Sequence, residues 1–170
     1  MSEKMGFFIL KSDKLKKDIS GLWPFVEIAT TLVCCGGKIL SVYNDRWGAF
    51  TLPMSKRRRW QDPRTKEEAE RVEDWDDAAV RVAAEWLGHT LTDKPRLLTD
   101  LAEFQQSDRD ERWKRYHVQV FQVDAQNEKA VAPNRIVEWL LPDQIVDEER
   151  RPISPTARYI ISELKLKGIF

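Results

Sequence analysis

The order of the sequence patterns predicts an α+β or mixed α/β domain. Three β-rich segments precede an amphipathic helix, three further strand candidates follow it, and a second helix closes the chain. A chain of 170 residues fits one domain and can bury a core without disulfide bonds or metals. Its 28 Lys and Arg residues balance 28 Asp and Glu residues, which excludes a protein held to nucleic acid or membrane by a bulk basic excess.

The first strands come from the N-terminal third of the chain. Residues 30–42 form two β-rich pieces joined at Gly36-Gly37, a dipeptide that supplies the positive φ angles of a hairpin turn. Residues 47–53 predict another short strand, which Pro53 ends. Residues 55–71 are polar and charged and predict a long loop or the solvated start of a helix.

Residues 74–87 predict a helix. Apolar side chains recur there at spacings of three and four residues and form one stripe: Trp75, Ala78, Ala79, Val82 and Trp86. Asp74 is expected at the N-cap, and Gly88 is expected to end the helix in a left-handed conformation.

The second half of the chain predicts strands at residues 97–105 and 113–123, joined by a charged turn. A short strand within residues 136–145 then runs into a turn that begins at a proline. Ser154-Pro155 opens the last helix, which extends through Leu164.

The two cysteines, Cys34 and Cys35, are adjacent, so in a strand they point to opposite faces. We expect no disulfide bond between them, and they cannot provide a four-ligand zinc site. The first 17 residues are interrupted by charges and do not resemble a secretion signal, and no later run reaches about 18 apolar residues. The sequence therefore predicts a cytoplasmic protein without a membrane partner.

Residues 26–88 resemble the Nudix hydrolase superfamily. Its signature is Gly, five residues, Glu, seven residues, then Arg-Glu-apolar-any-Glu-Glu-any-Gly-apolar, and four positions match without a gap: Glu73, Arg81, Glu85 and Gly88. The later E-W-L-x-P segment at residues 138–142 and the Ser-Pro helix also resemble the superfamily. The resemblance implies a single Nudix-like domain over residues 1–170, with an N-terminal extension at 1–24 and a core at about 25–165. Its expected architecture is a mixed β-sheet between helices.

The sequence departs from the signature where the superfamily binds metal. Val82 and Trp86 replace two glutamates, and Glu67 and His89 replace the first glycine and the last apolar residue. Met54-Ser55 stands where the superfamily has two glycines after Leu-Pro. The motif is therefore degenerate.

The resemblance implies attack of water on a diphosphate, with Mg²⁺ or Mn²⁺ held by carboxylates on one helix face. Glu85 is the remaining candidate for the catalytic and metal-binding carboxylate. The resemblance makes Glu73, Arg81 and Gly88 structural residues of the motif, and it implies that Glu73 and Arg81 hold the preceding loop against the helix. An ion pair between Arg81 and Glu85, four residues apart, is the alternative for those two side chains.

A basic cluster precedes the helix: Lys56, Arg57, Arg58, Arg59 and Trp60. Cations beside an aromatic ring can hold phosphates and stack on a base, so these residues are the predicted ligand-binding site. The alternative is a solvated loop whose cations pair with acidic neighbours: Glu67, Glu68, Glu70 and Glu73.

Three functions stay open. The leading hypothesis is a Nudix-like protein with an eroded metal site that binds a nucleotide-like or diphosphate-containing ligand with weak or no hydrolysis. The second is an active Nudix pyrophosphohydrolase with relocated carboxylates, drawn from Glu67, Glu68, Glu70, Glu73, Glu85 and Glu103. The third is a non-enzymatic module that binds protein or RNA, since seven tryptophans are many for this length. The oligomeric state is not predicted.

Overall fold

The computed structural model describes residues 25–61, 68–89, 91–106, 113–147 and 151–170. The elements of these residues are, in chain order, β1 (Phe25–Cys35), β2 (Lys38–Asn44), β3 (Ala49–Thr51), β4 (Met54–Lys56), β5 (Arg59–Gln61), β6 (Glu68–Val72), α1 (Trp75–Leu87), β7 (Arg96–Gln106), β8 (Trp113–Asp124), β9 (Val137–Leu140), α2 (Pro142–Val146) and α3 (Pro155–Leu166). The predicted extension at residues 1–24 lies outside the described residues.

β1 is the centre of a seven-stranded mixed sheet. It runs parallel to β8, and β7 pairs antiparallel with the far edge of β8. On its other edge, β1 pairs with β2 at its C-terminal end, where Cys34 lies opposite Ile39, and with β4 nearer its start, where Ala29 lies opposite Ser55. β9 pairs antiparallel with β2. This arrangement confirms the predicted mixed sheet.

Gly36 and Gly37 form the turn between β1 and β2. Their φ angles are 55° and 77°, in the region that an L side chain rarely adopts. The hairpin predicted from this dipeptide is therefore confirmed, and β1 begins five residues before the predicted start.

The two faces of the sheet carry different helices. On one face, which we call the α3 side, Leu32 of β1 packs in a buried cluster with Ile160 and Leu164 of α3. On the opposite face, the α1 side, Val33 packs in a cluster with Ala83 and Leu87 of α1. The alternation along β1 thus builds both cores and places α1 and α3 on opposite faces of one sheet.

Strands occupy most of the described part of the predicted loop at residues 55–71. β4 continues from β3 and hydrogen-bonds to β1 where β2 has diverged, and β5 pairs with β6 in a separate two-stranded sheet. The prediction of a loop or helical start is therefore wrong here. The open edge of β1 offers hydrogen-bond partners to any passing chain, so pairing overrides the polar composition.

α1 lies where the sequence predicts it. Four residues of its inner face are no more than 1% exposed: Ala78, Ala79, Val82 and Ala83. The predicted apolar stripe also included Trp75 and Trp86, but both are half-exposed. Asp74 occupies the N-cap position, although its side chain forms no capping hydrogen bond.

The remaining predicted elements are confirmed with small shifts in their bounds. β7, β8, β9 and α3 lie at their predicted places. The Ser154 hydroxyl caps α3 by accepting a hydrogen bond from the Ala157 amide at 3.1 Å. Within the described residues, no helix is both long enough and apolar enough to cross a membrane.

Gly88 ends α1 with a φ of 72°, and its amide donates to the Ala84 carbonyl. A Cβ at this position would lie 3.2 Å from the Ala132 Cβ. We expect Gly88→Ala to lower the free energy of unfolding by about 2 kcal/mol, through backbone strain and this contact. Chemical denaturation measures the change.

Gly37→Ala is the matched control, because Gly37 has a φ of 77° and a Cβ there meets nothing within 4 Å. Gly37→Ala should lower the free energy of unfolding only by the contribution of backbone strain. Equal losses for the two variants would show that the contact with Ala132 contributes nothing.

Candidate functional site

Glu73 and Arg81 form a two-pronged ion pair at the start of α1. The Arg81 Nε donates to Glu73 Oε2 and the Arg81 Nη2 donates to Glu73 Oε1, both at 2.9 Å. Such paired hydrogen bonds fix the relative orientation of the two groups as well as their distance. The pair therefore sets how α1 lies against the chain before it.

The same two side chains also bind β4 and the residues after it. Arg81 donates from Nη2 to the Lys56 carbonyl at 3.0 Å and from Nη1 to the Ser55 hydroxyl at 3.3 Å. Glu73 Oε1 accepts the Arg58 amide at 3.0 Å, and the Glu73 amide donates to the Arg58 carbonyl. The basic segment is thereby held against α1.

Electrostatics at this pair follow from the hydrogen bonds. The hydrogen bonds from Arg81 lower the pKa of Glu73, a residue that is only 8% exposed. The bond with Glu73 in turn raises the pKa of Arg81, and the charge of Glu85 adds to this shift. Arg81 thus pairs with Glu73, and the alternative ion pair between Arg81 and Glu85 is wrong.

Arg57, one of the predicted ligand-binding residues, is engaged within the fold. Its Nη1 donates to Glu27 Oε2 at 2.6 Å and its Nε donates to the Glu73 carbonyl at 2.9 Å. Its Cζ also lies 4.5 Å from the ring centroid of Trp75. These three contacts leave the Arg57 side chain only 14% exposed.

The other residues of the basic cluster differ from Arg57. Lys56 and Arg58 flank it and are exposed. Arg59 and Trp60 belong to β5, in which the backbone is described and the side chains are not. Ligand binding by these four residues stays a prediction.

The metal positions of the signature do not form a carboxylate cluster. Val82 is 1% exposed, Trp86 is half-buried and Glu85 is exposed on α1. Among the described residues, no group of three His, Cys, Asp or Glu side chains could hold a metal ion. The described residues therefore do not fit the metal site of the signature, and a catalytic or metal-binding Glu85 stays a prediction.

Most of the side chains proposed as substitute carboxylates are not among those that the structure describes. Glu67 lies outside the described residues, and Glu68, Glu70 and Glu103 are described only by their backbone. In the sheet register, position 103 lies opposite Tyr116, which packs in the α3-side cluster.

A cavity of about 530 Å³ opens near the C-terminal end of α1. Its lining includes Leu87, Arg96, Gln122 and Asp124. Arg96 donates to Gln122 at 2.7 Å, and Gln122 donates to Asp124 at 3.1 Å. Of the predicted ligand-binding residues whose side chains the structure describes, Lys56, Arg57 and Arg58, none lines this cavity.

Solved structures share this architecture at low sequence identity. A MutT protein from Methanosarcina mazei Go1 aligns with a TM-score of 0.59 and 16% identity, over 86% of this chain and 96% of that one. A MutT NUDIX hydrolase from Burkholderia pseudomallei aligns with a TM-score of 0.54 and 19% identity, over 82% and 98%. The chain has the Nudix fold.

A third Nudix structure aligns over a similar length. The NUDIX domain of Shewanella oneidensis NrtR, solved as a complex with ADP ribose, has a TM-score of 0.50 and 14% identity, over 86% of this chain and 88% of that one. No model of a known family matches the sequence, and no curated protein matches it. The structural likeness confirms the fold that the degenerate signature predicts.

The sequence does not predict one contact of α1, between Arg135 and Trp86. The Cζ of Arg135 lies 4.7 Å from the ring centroid of Trp86, the residue that replaces the last glutamate of the signature. One face of the ring is therefore occupied by a cation. No sequence pattern connects the two positions, because they meet only through the path of the chain after β8.

A second group near α1 also depends on the tertiary fold. The His117 Nε2 lies 2.5 Å from Asp100 Oδ1, and the His117 ring packs edge-on against Trp75 at 5.0 Å between centroids. Gln119 donates to the second oxygen of Asp100 at 3.1 Å. These contacts connect β7 and β8 with the start of α1.

Because the pKa of Glu73 is lowered in the folded protein, its charged form stabilises the fold above its unfolded pKa. That stabilisation disappears as the pH falls through the lower folded pKa. We expect Glu73→Gln to lower the free energy of unfolding by about 2 kcal/mol at pH 7, with the difference from the unaltered protein vanishing in acid. Urea unfolding over a pH series measures both.

Asp45→Asn, in the exposed turn between β2 and β3, is the control for removing a carboxylate. It should leave the free energy of unfolding nearly unchanged. If Glu73→Gln still lowered the free energy of unfolding in acid, the loss could not come from the charged ion pair.

Val82→Glu restores a carboxylate of the signature at a buried position. We expect it to lower the free energy of unfolding at pH 7 by about 3 kcal/mol or more, because the new charge is buried without a partner. Val82→Gln, which has the same size without the charge, should cost less. Burial raises the pKa of such a carboxyl, so the difference between the two variants should shrink as the pH falls toward about 4. Equal stability of both variants at pH 7 would show that position 82 accepts a charge.

Proposed function

We propose that this Nudix-fold chain binds a nucleotide-like ligand that carries a diphosphate, and hydrolyses it weakly or not at all. The observation that carries the proposal is the absence of a metal-binding cluster among the described residues, together with the burial of Val82. Val82 and Trp86, which stand at two of the three helical glutamate positions, pack against the fold, and Glu85 remains at the third.

Cations at the surface support the binding half of the proposal. Lys56 and Arg58 are exposed and lie beside the Glu73–Arg81 pair, whose own charges are satisfied by each other. We assign phosphate contacts to Lys56 and Arg58 rather than to Arg57, because Arg57 is held by Glu27 and Trp75. Arg59 and Trp60 continue the same segment. The NrtR Nudix structure with ADP ribose supports a nucleotide derivative as the ligand class.

The chemistry of divalent cations supports the weak hydrolysis. Mg²⁺ prefers six oxygen ligands in octahedral geometry, and several carboxylates normally coordinate the ions that bind a diphosphate. Here Glu85 is the remaining carboxylate of the three helical signature positions. Glu73 is already bound to Arg81 and to the Arg58 amide. A metal ion would be held weakly and would activate water poorly.

Calorimetric titration with ADP-ribose and other nucleoside diphosphate derivatives, in EDTA and in Mn²⁺, tests the proposal. We expect binding in both solutions, with slow or no conversion of the diphosphate into two phosphate monoesters when the reaction is followed by ³¹P NMR against a protein-free control. The double variant Lys56→Gln, Arg58→Gln should weaken binding by about tenfold and reduce its salt dependence, because two phosphate-binding charges are removed. Arg46→Gln, in the exposed turn between β2 and β3, is the control.

Two results would contradict the proposal. Mn²⁺-dependent turnover at about 1 s⁻¹ or faster, an ordinary enzyme rate, would favour an active pyrophosphohydrolase with relocated carboxylates. Failure to bind any nucleotide would favour an interaction module for protein or RNA.

A further inference from the structure

We propose that Arg135, stacked on Trp86, supplies the positive charge that neutralises the ligand's diphosphate, so that binding needs no divalent metal. This inference rests on the proposed function and identifies a binding residue for it. The observation behind it is the 4.7 Å separation between the Arg135 Cζ and the ring centroid of Trp86. The ring thus holds a permanent cation at position 86, one of the helical positions where the signature has a metal-binding glutamate.

The chain leading to Arg135 is tied to the end of α1. The Ala132 amide donates to the Trp86 carbonyl at 2.8 Å, so the segment begins at a fixed distance from the helix. Ala132 also approaches Gly88 so closely that a side chain at position 88 would meet it. Asn134, directly before Arg135, adopts a φ of 61°, which turns the chain there.

The ring that carries the guanidinium is fixed as well. Trp86 packs against the α1-side cluster, as do Val137 and Trp139. The Trp139 indole donates to the Glu128 carbonyl at 2.9 Å, which anchors the chain that precedes Arg135. A cation held on a fixed ring loses less conformational entropy when it binds an anion than a free surface arginine loses.

Arg135 differs from Arg57 and Arg81 in the number of guanidinium N–H donors that remain available to a ligand. Arg81 uses its guanidinium in hydrogen bonds to Glu73, Ser55 and Lys56, and Arg57 uses its own on Glu27 and Glu73. Within the described residues, Arg135 forms no ion pair with a carboxylate. A cation–π contact leaves the N–H donors of a guanidinium unpaired, so these donors can bind two phosphate oxygens together.

The chemistry of a guanidinium accounts for binding without turnover. Like a metal ion, it neutralises phosphate charge; unlike a metal ion, it does not lower the pKa of a bound water to generate a nucleophile. The replacement of a glutamate by Trp86 thus exchanges a group that recruits a metal cation for one that holds an arginine. Ligand recognition is kept, and the activation of water is lost.

Titration of the full chain with ADP-ribose in EDTA tests this inference, with adenosine as a probe that lacks phosphate. Arg135→Gln should weaken ADP-ribose binding by about tenfold or more, Arg135→Lys by less, and neither should change adenosine binding. The affinity of the unaltered protein should be the same in EDTA and in Mg²⁺. Circular dichroism should show unchanged folding, because Arg135 is exposed.

Arg96→Gln is the matched control, since it removes an exposed guanidinium that lines the 530 Å³ cavity instead. Unaltered binding by Arg135→Gln, or a loss confined to Arg96→Gln, would overturn the inference. If Lys56→Gln, Arg58→Gln still weakened binding in that case, the proposed function would stand without Arg135. A strict requirement for Mg²⁺ would also overturn the inference about Arg135. Failure of the unaltered protein to bind ADP-ribose would reject both this inference and the proposed function.

Discussion

The ion pair between Glu73 and Arg81 is the contact on which the rest of the site depends. It connects α1 with β4 and with the backbone of Arg58. Both groups are largely removed from water, and a buried charge is strongly destabilising unless its partner is present. Each residue therefore requires the other for reasons of folding alone. This requirement explains how both can stand in the sequence while Val82 and Trp86 replace glutamates.

The pair also divides the basic segment into two kinds of residue. The segment's side chains differ in their contacts with the rest of the fold. Arg57 points inward to Glu27 and Trp75, whereas Lys56 and Arg58 on either side of it are exposed. Adjacent cations that look equivalent in the sequence thus have different surroundings. The inner one fixes the segment, and the outer two present charge to the solvent.

How far the sequence predicts the structure depends on whether the deciding contact is local. The hairpin at Gly36-Gly37 and the helix α1 follow from φ angles, spacing and helix ends, so their prediction is confirmed. β4 to β6 were not predicted, because their polar residues become strands only through partners such as the open edge of β1. The resemblance implied that Glu73 and Arg81 hold the preceding loop against the helix, but it did not name the pair between them, and no pattern could connect Arg57 with Glu27, or Arg135 with Trp86. Those contacts exist only once the sheet has formed.

The ion pair of Arg81 and the burial of Val82 both follow from one orientation of α1. Arg81 must reach Glu73 and β4, which fixes the rotation of α1 about its own axis. Successive helical residues are about 100° apart, so a helix in that rotation directs position 82 into the core, where Val82 is 1% exposed. Glu85, one turn after Arg81 on the same side, is left at the surface. The packing that keeps the Nudix frame therefore places the three signature carboxylate positions in three different environments: core, surface, and beneath the guanidinium of Arg135.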